Sequence, residues 1–133
     1  MAATSISANE ILNKEFGGTQ YTPPATWYLA LSTTLSSYAG SNVTEPTDPN
    51  YARVPWSNDK SHWSTSSSGS LVNSASVVWP ISSGSWGVIQ EIDLFTAASA
   101  GNLRHRVVLA SPRTISGSSV FTLIPGALTF SLT

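Results

Sequence analysis

The side chains able to do chemistry are few. Among 133 residues there are seven Asp and Glu, six Lys and Arg, two His and no Cys. Without Cys there is no disulfide, no thiolate metal ligand and no thiol nucleophile. Ser is so abundant that a Ser, a His and an Asp can be assembled on paper from almost any region. No Gly-x-Ser-x-Gly elbow supports such a triad. Asp59 and His62 lie three apart in a polar loop, which is no recognised ligand spacing. Glu91 and Asp93 are two apart, so a strand places both on one face, about 7 Å from each other. Glycosidase acid pairs span about 5 to 9.5 Å, yet no other polar cleft markers accompany this pair. A solvated strand face, or pairing with Arg104 or Arg106, is the simpler expectation. No catalytic residue, metal ligand or cofactor is assigned, and the protein is not expected to be an enzyme.

The aromatic residues offer a second kind of chemistry. Five Trp are many for this length. Trp27, Trp79 and Trp86 sit in or beside apolar strands and are expected in the core. Trp56 is open. Trp63 lies in a Ser-rich stretch and is the candidate for an exposed face that stacks on a sugar ring.

One helix and a series of strands must position these residues. Ser7 followed by Glu10 reads as a capping box, with Ile6 and Ile11 as its hydrophobic staple and Gly17-Gly18 as the stop. The helix is expected from Ala8 to Phe16, with Ile11, Leu12 and Phe16 along one side. So short a helix is unstable alone and must dock. The remainder is β. Thr26 to Ser32 alternates, with Trp27, Leu29 and Leu31 on one face. Short strands follow at 51–56, 70–73, 76–79, 87–96, 102–109, 120–123 and 127–132. Pro125-Gly126 is a type II turn signature. About eight short strands with frequent turn signals predict an all-β fold, a single-domain β-sandwich of jelly-roll type with a short N-terminal helix. Residues 1–18 are expected to form an N-terminal arm and helix, and residues 19–133 the sandwich.

Composition narrows the function classes. Charged residues make up 10% of the chain and the formal net charge is −1. Neither nucleic acid nor an anionic membrane surface is an expected partner. The first seven residues have no positive or apolar region and are not expected to act as a signal peptide. No apolar run approaches the roughly 18 residues of a membrane span. Asn42-Val43-Thr44 fits the glycosylation pattern and is read as chance. Ser and Thr together account for 38 of 133 residues. A surface of hydroxyls can pack against another surface without stripping water from unpaired ions. That favours life in an assembly, or contact with sugars.

An ordered set of short motifs then carries a resemblance. It runs from Leu12-Asn13-Lys14 through Phe16-Gly17-Gly18-Thr19-Gln20-Tyr21-Thr22-Pro23-Pro24 and Tyr28-Leu29-Ala30-Leu31-Ser32-Thr33-Thr34. Glu45-Pro46, Tyr51-Ala52-Arg53-Val54, Asn73 and Val77-Val78-Trp79-Pro80 continue it. Trp86-Gly87-Val88-Ile89, Asp93-Leu94-Phe95, Gly101-Asn102-Leu103, Ser116-Gly117-Ser118 and Pro125-Gly126-Ala127-Leu128-Thr129 complete it. No one piece is specific; their order is. The chain resembles a family of small tailed-phage virion proteins, commonly labelled phage tail-fibre or structural protein. It departs from the family at Trp79, where Phe is usual, and in its long Ser-rich segment 61–70.

The resemblance implies a virion structural component without catalytic residues. The first expectation is a capsid decoration (cement) protein on the head exterior, a homotrimer bridging major capsid proteins. Ile6, Ile11, Leu12 and Phe16 are the expected partner-binding residues. The alternative is a tail-fibre or tail-tip protein that meets host-surface carbohydrate through Trp63.

Overall fold

The computed structural model describes residues 2–132. The outermost residues of the two expected ranges, 1 and 133, lie outside that description. The chain order is β1 (Ala2–Ala3), α1 (Ser5–Gly17), β2 (Thr26–Ser32), β3 (Val54–Ser57), β4 (Ser70–Val72), β5 (Val77–Val78), β6 (Gly87–Phe95), β7 (Leu103–Ile115), β8 (Thr122–Leu123) and β9 (Thr129–Ser131). Five strands form one antiparallel sheet in the order β1-β7-β6-β2-β3. Two antiparallel ribbons, β4-β9 and β5-β8, make up the opposing layer. The fold is all-β with one short N-terminal helix.

The core between the layers follows from strand alternation. Trp27, Leu29 and Leu31 of β2 and Ile92 and Leu94 of β6 turn one way, and all are buried. The ribbons answer with Val77 and Leu128 and with half-buried Leu71, Leu123 and Phe130. Trp79, Trp86, Trp56 and Phe121 fill the same cluster. Trp79 is 1% exposed and packs edge-on against Phe121, centroids 5.3 Å apart. The Trp that stands where the family usually has Phe is therefore a central core side chain. Buried Asn73 ties the second layer together. Its Oδ1 accepts from the Leu128 amide at 2.8 Å, and its Nδ2 donates to the carbonyls of Ala75 and Ile124 at 2.8 and 3.0 Å. The Pro125-Gly126 turn forms as expected: the Ala127 amide donates to the Ile124 carbonyl, and Gly126 has φ of 85°.

The helix begins earlier than expected. Thr4, not Ser7, is its N-cap, and α1 starts at Ser5. The capping box fails because tertiary partners take both of its side chains. Ser7 is buried inside the helix with its Oγ 3.1 Å from His105 Nε2. Glu10 pairs with Arg104 on β7. Thr4 Oγ1 donates to the Leu103 carbonyl at 2.8 Å, which pins the start of the helix to β7. The stop is as expected: Gly18 is left-handed at φ 65°. β7 runs to Ile115, six residues beyond its predicted end, because its far half rejoins β6 at Arg113 to Ile115 after a bulge.

The other face of β6 corrects the expectation of a solvated strand face. Glu91 and Asp93 are both fully buried, because the loop between β2 and β3 closes over them. The Ser36 amide reaches both Glu91 oxygens at 3.2 Å, and Arg106 donates to the Ser36 carbonyl. Arg104, the other basic partner named for this pair, instead holds Glu10. Among the described residues the Asp93 oxygens meet no hydrogen-bond partner. Burial, and next the adjacent Glu91, push the Asp93 carboxyl up to about 9; Glu45 adds to this and Arg106 opposes it. The folded chain thus holds a proton that the unfolded chain has released. Stability falls as pH rises from the ordinary aspartate value of 3.8 toward about 9. Asp93→Asn is expected to unfold at higher urea than the wild type at pH 8, and at nearly the same urea at pH 4. Denaturation midpoints at the two pH values check this.

A candidate docking groove

The two layers do not close along their whole length. Near β1, a groove of about 580 Å3 opens between the five-stranded sheet and the β4-β9 ribbon. That size falls within the roughly 300–1,000 Å3 range of binding pockets. Its floor is Trp27, Leu94 and His105, from β2, β6 and β7. Register explains this grouping, since Ala3 pairs with His105, His105 with Leu94, and Leu94 with Leu29. Leu71 and Phe130 form one wall, and Ile11 of α1 closes an end. Trp63 stands beside them. The rim carries Asn58, Asp59, Lys60, Ser66, Ser70 and Ser131.

His105 is the titratable group at the floor. It lies edge-on to both Trp27 and Phe130, with ring centroids 5.7 and 5.8 Å away. Burial, assisted by the neighbouring Arg104, lowers it to about 4. It is therefore neutral at pH 7 and joins helix to sheet through Ser7. On the rim, Asp59 accepts from the Ser61 amide and hydroxyl and lies 2.9 Å from His62 Nδ1. The Ser61 hydroxyl, and next His62, hold its carboxyl down at about 2. This is a loop-shaping carboxylate. Among the described residues no three His, Asp or Glu side chains converge as metal ligands.

The residues expected from sequence divide. Ile11 and Trp63, assigned to two different roles, line the same groove. Trp63 corrects the expectation of an exposed face: it is 6% exposed and packs edge-on against Trp56 and Phe130, centroids 6.2 and 5.0 Å away. A bridge between Trp63 and Asn73 draws the Ser-rich segment onto the core. The expected single apolar side of the helix also splits. Ile6 and Ile11 are half-buried, whereas Leu12 is 54% and Phe16 83% exposed. Glu91 and Asp93 lie on the opposite face of the sheet, away from the groove. His105 was missed by sequence reasoning. Its signal was the period of β7, which sets it opposite in facing to Arg106.

Family membership is decided by the whole length of the chain. Residues 2–131 match the family described as Podophage GP4 fiber I protein gp80. The chain belongs to that family. It is a bacteriophage virion structural protein, as the ordered motifs implied. No curated protein matches it. Several of those motifs now have structural reasons in this phage protein. Glu45 and Arg53 form a two-pronged ion pair at 2.8 and 3.0 Å, and Arg53 also holds the carbonyls of Ala97 and Ala100. Its guanidinium lies 3.7 Å from the Phe95 ring centroid. Tyr51 donates to Glu45 and accepts from the Leu31 amide. These contacts lock the β2-β3 loop over the buried acids.

His105 gives the groove a pH dependence. Its folded value lies below the ordinary 6.5. As pH falls from 6.5 toward about 4, the unfolded chain takes up a proton that the folded chain refuses, and stability is lost. Asp93, which holds its proton in the folded chain, contributes in the opposite sense over the same window, so the His105 contribution is read as a difference. The wild type is expected to lose urea resistance relative to His105→Phe, which keeps a ring between Trp27 and Phe130. Midpoints measured at pH 4.5 and 6.5 check this.

Proposed function

We propose that this protein is a non-enzymatic subunit of the phage tail fibre that acts through contacts with other protein subunits. The match to a fibre family along residues 2–131 carries this reading. Two further features support it. An apolar groove, together with Leu12 and Phe16 exposed elsewhere on α1, is the equipment of protein contact. The sparse charge of the chain lowers the desolvation cost of permanent packing. The sequence alone favoured decoration of the head and contact with the major capsid protein. The fibre family favours the tail instead. The buried Trp63 indole is not a sugar-stacking platform, so host carbohydrate is not assigned to it.

Immunogold labelling of intact virions tests the location. Gold confined to the tail, with few copies relative to the major capsid protein on a gel, is the expected result. Gold over the whole head, with a band of comparable copy number, restores the decoration reading and overturns this one.

A further inference from the structure

β1 and α1 are fastened to the sheet largely by polar contacts. Ala2 and Ala3 pair with Arg106 and His105 on β7. The Thr4 amide donates to the Arg104 carbonyl at 2.9 Å, and the Thr4 hydroxyl to the Leu103 carbonyl at 2.8 Å. The Ser5 amide donates to the Tyr38 carbonyl, Ser7 meets His105, and Glu10 pairs with Arg104. The apolar hold is thin. Ser7 is the buried residue of α1, and Ile6 and Ile11 are only half-buried. Among the described residues, neither apolar cluster of the core takes a side chain from β1 or α1. The link to β2, residues 18–25, is neither helix nor strand. Its Tyr21 ring lies 5.4 Å from the Arg104 guanidinium, so the link has its own hold on β7.

We infer that residues 2–17 form a strap that opens from β7 as a unit while the sandwich stays folded. Lifting the strap takes no side chain from the core clusters, so apolar burial, the main stabilising term of the fold, is hardly touched. A helix of 13 residues is marginal once undocked, so the strap lets go as a whole rather than bond by bond. Segments with few buried apolar contacts are the ones that open locally, at a free energy below that of global unfolding. Opening has two consequences. It bares the outer edge of β7 from Leu103 to Arg106, and an edge with free amides and carbonyls is a template for strand addition. It also withdraws Ala3 and Ile11 from the lining of the groove. The strap thus guards a sheet edge and one end of the groove, wherever the subunit sits in the virion.

Native-state hydrogen exchange on the full chain tests this, read by mass spectrometry at pH 7 across low urea concentrations. After correction for intrinsic rates, the α1 amides are expected to exchange at least about a hundredfold faster than those of β2 and β6. Their rates are expected to change little with urea, because opening exposes little surface, while β6 rates rise steeply. Thr4→Val combined with Glu10→Gln removes two ties to β7 and no core contact. Thr4 makes no side-chain cap bond, so the start of the helix keeps its own hydrogen bonds. The double variant is expected to speed α1 exchange about tenfold further and to leave β6 unchanged. Protection in α1 equal to that in β6, or a urea dependence common to both, overturns the inference. So does a double variant with unchanged α1 exchange. A double variant in which β6 accelerates together with α1, or which fails to fold, overturns it as well, since either places the strap in one cooperative unit with the core. Failure here leaves the virion labelling result untouched.

Discussion

The burial of β6 on both faces is the constraint on which the rest of this structure depends. A half-solvated strand needs one apolar face and one polar face. β6 presents Ile92 and Leu94 to one side and Glu91, Asp93 and Phe95 to the other, and all five are buried. Each side requires its own cover. The two ribbons and their Trp-rich contacts cover the first. The β2-β3 loop covers the second, and it does so over carboxyls, which are costly to bury ionised. The cost is limited in two ways. Glu91 receives the Ser36 amide, and Asp93 keeps its proton. Arg53, with two hydrogen bonds to Glu45 and two to the carbonyls of Ala97 and Ala100, then clamps the loop that makes both possible.

The scarcity of charge has a structural counterpart. Apart from the Glu45–Arg53 clamp, the loops are fixed largely by hydroxyls, amides and single carboxylates. Ser32 Oγ donates to the Thr34 carbonyl and accepts from the Thr44 amide. Buried Ser82 donates to the Ser116 carbonyl and accepts from the Ser119 amide. Asp48 accepts from the Ser83 hydroxyl and also gathers the amides of Ser83, Gly84 and Asn50 and the Trp86 indole N–H; the Ser83 hydroxyl first, and then the Gly84 and Asn50 amides and the indole, hold its carboxyl well below the usual range. Hydrogen bonds of this kind satisfy backbone groups that the short strands leave unpaired. The abundance of Ser and Thr is therefore partly internal. It is not only a property of the outer surface.

Much of the fold was legible because it is local. The alternation of Thr26 to Ser32 marked β2 to the residue, and Gly18 and Gly126 marked the helix stop and the last turn. What failed was whatever depended on distant partners. Ser7 and Glu10 form a capping box by local rules, but His105 and Arg104, nearly a hundred residues away, take both side chains. Trp63 sits in a polar segment, and only the distant ladder between β4 and β9 explains why it is buried. Ile11 and Trp63 were each singled out. Their meeting in one groove depends on the pairing of β1 with β7, and a two-residue strand has no periodicity to read.

The groove itself follows from the same geometry. The opposing layer is made of two separate ribbons, and two two-stranded ribbons do not span a five-stranded sheet. At the β1 side the shortfall is met only by α1, which is held through Thr4, Ser7 and Glu10, all near its start. Beyond Ile11 the helix runs exposed, and Leu12 and Phe16 are left 54% and 83% exposed. A short helix gains its stability from packing. An uncovered core edge and an uncovered helix end are thus two consequences of one incomplete layer. Each is better satisfied in an assembly than in an isolated copy, and this fits a chain that belongs to a virion.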